Sequence, residues 1–173
     1  MKILSIGGSN SIHSINRKLA NHVASLFSEG DVTAYNISEI DLPLYSMQLE
    51  EEIGIPAVVT DFAEKIDETD LIVLSLAENN GSYNVGFKNL MDWTSRIKTR
   101  KTWGNKSMLL MATSPGGRGG KTVLDIATNY FPYMGAEIKG VFSLPKFQEN
   151  FDDEQGITEE KLKHDLLNLI NNF

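Results

Sequence analysis

The residues best placed to do chemistry are serines that follow a glycine pair: Gly7, Gly8, Ser9, Ser11 and Ser14, closed by Asn16. They stand between a hydrophobic run, Lys2 to Ile6, and an amphipathic run, Asn16 to Phe27. A strand ends there, the glycines let the backbone turn, and hydroxyls gather where a helix begins. A helix start offers unpaired N–H groups and the positive end of its dipole. Serine hydroxyls added to those donors make a phosphate cradle. The loop has no lysine for a Walker-type site and no G-x-G-x-x-G for a dinucleotide fold. The pattern therefore points to one phosphate, as on a mononucleotide.

The elements that position this loop alternate between strand and helix. Lys2–Ile6 reads as a buried strand, followed by Ile15, Leu19, Val23, Leu26 and Phe27 at helical spacing. Val32–Ile37 reads as a second, shorter strand. Pro56 suits the first turn of a helix carrying Val58, Val59, Phe62 and Ile66. The unbroken apolar run Leu71–Leu76 suits a strand covered on both faces. A helix over Val85–Arg96, a strand over Ser107–Ala112, a helix over Thr122–Tyr133 and a strand over Ala136–Phe142 follow. Thr158-Glu159-Glu160 caps a last helix with Leu162, Leu166, Leu169 and Ile170 on one face. Such alternation predicts one α/β domain, residues 1–173: a flavodoxin-like, five-stranded parallel sheet of order 2-1-3-4-5 with helices on both faces. Ligands of such sheets bind beyond the carboxyl ends of the strands.

Composition narrows the classes. The chain has 173 residues, 41% of them apolar, enough for a sizeable core. A net charge of −7 argues against general nucleic-acid binding, whose affinity comes mainly from neutralising phosphates. Cysteine is absent, so disulfides and thiol chemistry are excluded. No stretch reads as a membrane span or a signal peptide, and a cytoplasmic location is expected. No His/Asp/Glu cluster has metal-ligand spacing, and no catalytic carboxylate pair stands out. His13 reads as a solvated loop histidine, since no orienting carboxylate is evident.

Three polar, glycine-bearing loops are expected to converge at one sheet edge. The second is Ala77-Glu78-Asn79-Asn80-Gly81-Ser82, and the third runs from Thr113 through Gly120. With the first loop, they resemble the NADPH-dependent FMN reductases, whose members include quinone, chromate and azo-dye reductases of flavodoxin-like fold. The resemblance spans nearly the whole chain. It rests on Gly8-Ser9, Ser14 and Asn16, then Arg17-Lys18-Leu19-Ala20; on Asp41–Tyr45; on Asn80-Gly81-Ser82, Lys88-Asn89, Asp92-Trp93 and Ser95-Arg96; and on Ser114–Gly120. Two positions depart from the family pattern. Ser11 stands where it has arginine, and Asn79 where it has an aromatic residue.

The resemblance implies FMN as cofactor and NADPH, or NADH, as electron donor. Ser9, Ser14 and Asn16, with the Ile15 backbone, would hold the phosphate, and Ser11 would add a hydroxyl. Glu78, Asn79 and Asn80 would line the pyrimidine edge and central ring. Ser114, Gly116 and Gly117 would approach the ring from the third loop. No side chain of this chain is expected to act as a catalytic group. Hydride would pass from NADPH through FMN to a small acceptor such as a quinone, in ping-pong fashion. Lys98, Arg100, Lys101 and Arg118 read either as a solvated cationic face or as steering groups for a nicotinamide phosphate. Met91, Trp93 and Trp103 read either as core or as a partner-binding patch. The family resemblance implies a homodimer or a dimer of dimers. The alternatives are a flavodoxin-type electron carrier and a flavodoxin-like binding module without FMN.

Overall fold

The chain's most apolar run forms the middle of the sheet. Leu71–Leu76 is buried throughout, with Ile72, Leu74 and Leu76 in one core and Leu71 and Val73 in the other. This is the period-2 division of a strand covered on both sides. The computed structural model describes residues 1–173. In chain order the elements are β1 (Lys2–Gly8), α1 (Ile15–Ser25), β2 (Asp31–Tyr35), a 3-10 turn (Ile37–Glu39), α2 (Met47–Ile53), α3 (Ala57–Asp67) and β3 (Leu71–Leu76). There follow β4 (Glu78–Asn79), β5 (Ser82–Tyr83), α4 (Val85–Thr94), β6 (Lys106–Thr113), α5 (Lys121–Tyr130), β7 (Ala136–Leu144), α6 (Phe147–Asn150), β8 (Phe151–Asp152), β9 (Gly156–Ile157) and α7 (Glu160–Ile170).

The main sheet has five strands in the order β2-β1-β3-β6-β7, all pairs parallel. Counting those strands alone, this is the 2-1-3-4-5 order of a flavodoxin-like fold. Two small antiparallel pairs, β4–β5 and β8–β9, lie outside it. On one face, Phe62 and Ile66 of α3, Phe87 and Leu90 of α4, and Val123 and Ala127 of α5 pack with Trp103 and Phe131. On the other, Leu19 and Val23 of α1 and Leu166 of α7 cover Val73, Leu109 and Met111.

Close approach at one point explains a glycine of the first loop. A Cβ on Gly7 would lie 2.5 Å from the Cα of Arg17, so α1 can cross β1 there only over a glycine. Ser14 caps α1, its Oγ accepting the N–H of Arg17 at 3.0 Å.

Some element ends differ from the sequence expectation. The second strand stops at Tyr35, and Ile37 opens the 3-10 turn as a buried anchor. Within the Thr158-Glu159-Glu160 stretch expected to cap the last helix, the cap is Glu159, whose carboxylate accepts the N–H of Leu162 at 2.7 Å. The partner-patch reading of Met91, Trp93 and Trp103 is overturned. All three are interior, and Trp103 packs against Phe87 and Phe131 with ring centroids 6.3 and 5.0 Å away.

Candidate functional site

β1, β3 and β6 end side by side, and the segments that follow them enclose a cleft of about 260 Å³. Ser9, Ser11, His13, Ser14, Ile15 and Asn16 line it from the first loop. Ala77, Glu78, Asn79 and Asn84 line it from the second, and Thr113, Ser114 and Pro115 from the third.

The first loop winds around its own hydroxyls. Ser9 Oγ accepts the N–H of Ser11 at 3.2 Å, Ser11 Oγ that of His13 at 3.2 Å, and Ser14 Oγ that of Arg17 at 3.0 Å. None of the three hydroxyls donates to a protein acceptor, so three O–H hydrogens remain for an incoming anion. The amides of Ile15 and Asn16, in the first turn of α1, also make no hydrogen bond within the protein. Arg17 closes the loop from behind. Its Nη2 donates to the Ile12 carbonyl at 2.6 Å and its Nη1 to Asn36 Oδ1 at 2.7 Å, which ties the loop to the turn after β2.

Asn16 plays another part than its side chain was expected to. The side chain is buried and turned to the ends of two strands. Its Nδ2 donates to the Thr113 carbonyl, while its Oδ1 accepts from the Thr113 N–H and from Ser75 Oγ. Its backbone amide, in contrast, makes no hydrogen bond within the protein.

The second loop is a hairpin. Asn80 and Gly81 have φ of +52° and +76° and turn β4 into β5. This is the asparagine-glycine pair that a two-residue hairpin with positive φ at both positions favours. Asn80 is therefore the turn, and it stands outside the cleft lining while Glu78 and Asn79 form part of it. Glu78 reaches across to α5, where its Oε2 accepts the N–H of Val123 at 3.2 Å. Since Gly120 gives α5 no capping side chain, Glu78 supplies one from another loop. Burial pushes the Tyr83 hydroxyl on this hairpin up to about 12, and that oxygen has no hydrogen-bond partner.

In the third loop, Ser114 lines the cleft, whereas Gly116 and Gly117 stand exposed at its rim. A Cβ on either would meet nothing within 4 Å, and neither amide is used within the protein. The Gly116 carbonyl accepts from the amides of Gly119 and Lys146, which fixes the loop from below. Both positions thus combine open space where a side chain would stand with an N–H that no protein group uses.

Of the cations considered for a nicotinamide phosphate, Arg118 alone lies in a cleft loop, where its Nη2 donates to Thr122 Oγ1 at 2.7 Å. Arg100 pairs with Asp67 at 2.7 Å, and Lys101 packs beside Gly135, both at the opposite sheet edge where β6 and β7 begin. Lys98 lies in the same connection between α4 and β6.

The stretch Lys88–Arg96 also stands apart from the cleft. Asn89 donates to the carbonyls of Leu42 and Pro43 and accepts the N–H of Tyr45. Trp93 Nε1 donates to the Pro43 carbonyl at 2.8 Å. Arg96 Nε donates to Glu50 Oε2 at 2.7 Å, and the Tyr45 hydroxyl donates to the same oxygen at 3.0 Å. That pairing holds the Glu50 carboxyl below, and the Arg96 guanidinium above, its usual range. α4 thereby fastens the segment after β2 as a wall. An apolar recess of about 170 Å³ lies behind the wall, bounded by Leu42, Leu44, Val85 and Asn10.

No helix is long and apolar enough to cross a membrane. The cleft thus lies at the carboxyl ends of β1, β3 and β6 of a flavodoxin-like sheet, lined by hydroxyls of the first loop that donate to nothing. Residues 1–149 match the family described as NADPH-dependent FMN reductase. A NADPH:quinone oxidoreductase of Arabidopsis thaliana is 32% identical over 168 residues, covering 88% of this chain and 85% of that protein. A quinone reductase of Escherichia coli (strain K12) is 39% identical over 80 residues, 46% of this chain and 42% of that protein. The solved structure of FerB, a flavoenzyme NAD(P)H:(acceptor) oxidoreductase from Paracoccus denitrificans, has a TM-score of 0.79 at 24% identity, covering 98% of this chain and 93% of that one. The chain belongs to the NADPH-dependent FMN reductase family.

Proposed function

We propose that this chain, as one domain over residues 1–173, binds FMN in the cleft and passes electrons from NADPH, or NADH, to a small quinone-type acceptor. The hydroxyls of Ser9, Ser11 and Ser14 and the amides of Ile15 and Asn16 hold the phosphate. The flavin ring would lie between Glu78 and Asn79 on one side and Ser114, Gly116 and Gly117 on the other, with Asn80 turning the hairpin behind the first of these. Bound there, FMN would supply the two-electron redox chemistry between the nicotinamide and the acceptor. The protein's own part is placement and charge. The Gly116 and Gly117 amides, unpartnered within the protein, would stabilise negative charge that develops at the near edge of the ring. The names of the Arabidopsis and Escherichia relatives support a quinone as acceptor.

The observation that carries this reading is the set of three serine hydroxyls that accept from the loop and donate to nothing. Such hydroxyls suit an acceptor-only ligand such as phosphate. The test is FMN titration of the purified protein, followed by NADPH oxidation with and without a quinone. Bound FMN, quinone-dependent turnover and parallel double-reciprocal lines are expected, the last because both substrates use one open face in turn. Intersecting lines would contradict the shared face. Bound FMN without NADPH oxidation would favour a flavodoxin-type carrier. A homodimer or dimer of dimers is proposed on the family's account, and sedimentation at micromolar concentration decides it.

A further inference from the structure

Asn84 does more than a helix cap requires. It precedes α4, and its Oδ1 accepts the N–H groups of Gly86 and Phe87 at 3.1 and 3.4 Å. The same oxygen accepts the N–H of Asn10, from the first loop, at 3.2 Å. Three backbone donors on one side fix which end of the amide is oxygen. Its Nδ2 therefore points the other way, and donates to Asn10 Oδ1 and to Asn79 Oδ1, each at 3.1 Å. A cap needs only an oxygen, and serine, threonine or aspartate caps about as well as asparagine. The amide nitrogen is explained by Asn10 and Asn79 instead. Gly86 belongs to the same arrangement: a Cβ there would lie 2.8 Å from the Cβ of Asn10 and push that side chain away.

The three asparagines come from three places. Asn10 sits between Ser9 and Ser11, Asn79 lies on the β4–β5 hairpin, and Asn84 is buried between them. The hairpin has one other side-chain tie of this kind, from Glu78 to the start of α5. Its Asn79 flank is held through Asn84.

We propose that Asn84 is a positioning residue that couples the two ends of the cleft, so that filling the phosphate loop orders the hairpin against which the ring lies. The proposal rests on the FMN reading of the cleft. Ordering of the first loop is relayed through the paired Asn10 and Asn84 side chains, and from there through Asn79 to β4. Phosphate then helps bind the ring beyond its own contacts, which is a coupling free energy between two sites.

Riboflavin and inorganic phosphate, added separately, test this, because together they fill both ends without a covalent link. Inorganic phosphate is expected to tighten riboflavin binding to the wild-type protein by about fivefold, the low end for coupled sites. Asn84→Ser keeps a capping oxygen and loses the amide. Asn79→Ala leaves the cap untouched and removes an exposed side chain, so it remains informative if the first variant folds poorly. Whatever each change does to riboflavin affinity itself, the ratio of that affinity with and without inorganic phosphate is expected to fall to about one in both, since the ratio reads the coupling alone. In both, bound FMN is expected to show more fluorescence and weaker visible dichroism, as a looser ring would. Coupling that is absent in the wild type, or unchanged in Asn79→Ala, overturns the proposal while the FMN site stands. A wild-type protein that binds neither FMN nor phosphate overturns the site reading, and the coupling with it.

Discussion

Asn16 and Thr113 hydrogen-bond each other twice across 97 residues of chain. Asn16 Nδ2 donates to the Thr113 carbonyl at 3.2 Å, and the Thr113 N–H donates to Asn16 Oδ1 at 3.0 Å. The pair joins the first turn of α1 to the end of β6, and Ser75 Oγ adds the end of β3 at 2.7 Å. One side chain thus fixes the spacing of all three loops. Asn16→Ala leaves those partners buried without a replacement, at a cost of about 2–4 kcal/mol. Urea denaturation of the FMN-free protein is expected to show a lower midpoint. If affinity for FMN fell and stability did not, the side chain would be a ligand and not a brace.

Ser14→Asp separates cap from ligand. Aspartate caps a helix as well as serine does, so α1 is expected to remain and the melting temperature to stay near the wild-type value. The carboxylate would face the phosphate, and FMN affinity is expected to fall on the order of a hundredfold. Titration at equal affinity would remove the phosphate from this loop.

Ser11 is exposed, and its neighbour Ile12 is already gripped by Arg17, so the loop has room for a longer side chain. Ser11→Arg is expected to tighten FMN by about fivefold, roughly 1 kcal/mol, after screening and side-chain entropy are set against a charge-assisted contact. The gain should shrink as salt rises and should appear as slower FMN release. No gain at low salt would place the phosphate elsewhere.

His22 gives a pH dependence of stability. It packs edge-on to Phe151, and burial, with Lys163 nearby, lowers its pKa from 6.5. The unfolded chain then binds the proton more readily than the folded one. Stability is therefore complete above about pH 6.5 and falls as the pH drops through 6.5 toward the folded value. Denaturation midpoints of wild type and His22→Gln are expected to diverge in slope across that window, with the variant flatter. Parallel slopes would count against it.

Much of the architecture was legible because burial imposes period. Leu71–Leu76 could only be a covered strand, and Leu19 and Val23 only a helix face. The convergence of three loops followed from strand order alone. Asn80-Gly81 is legible too, as a hairpin turn, although the family motif it matches draws attention to Asn80 as a ligand instead. Trp93 and Trp103 show the limit of composition, since a buried aromatic and an exposed one look the same in a sequence. Asn16, Glu78 and Asn84 lay further out of reach. Each is polar and local in sequence, yet its partners lie on other elements, and only the folded chain brings them together. For Asn84, an asparagine just before an amphipathic run signals a cap. Nothing in that signal reveals the second use of its amide.

The segment after β2 is held by α4 through its main chain. Asn89 and Trp93 bind the carbonyls of Leu42 and Pro43 and the amide of Tyr45, and no bond of theirs uses a side chain of that segment. Leu44 and Met47 meanwhile face solvent, 71% and 64% exposed. Where the wall stands and what it is made of are thus settled by different residues. Mutation can exchange Leu44 or Met47 for larger, smaller or charged groups without shifting the backbone that carries them. Chains that keep the α4 side chains can therefore change the size and charge of this surface by single substitutions while the path of its backbone is inherited unchanged.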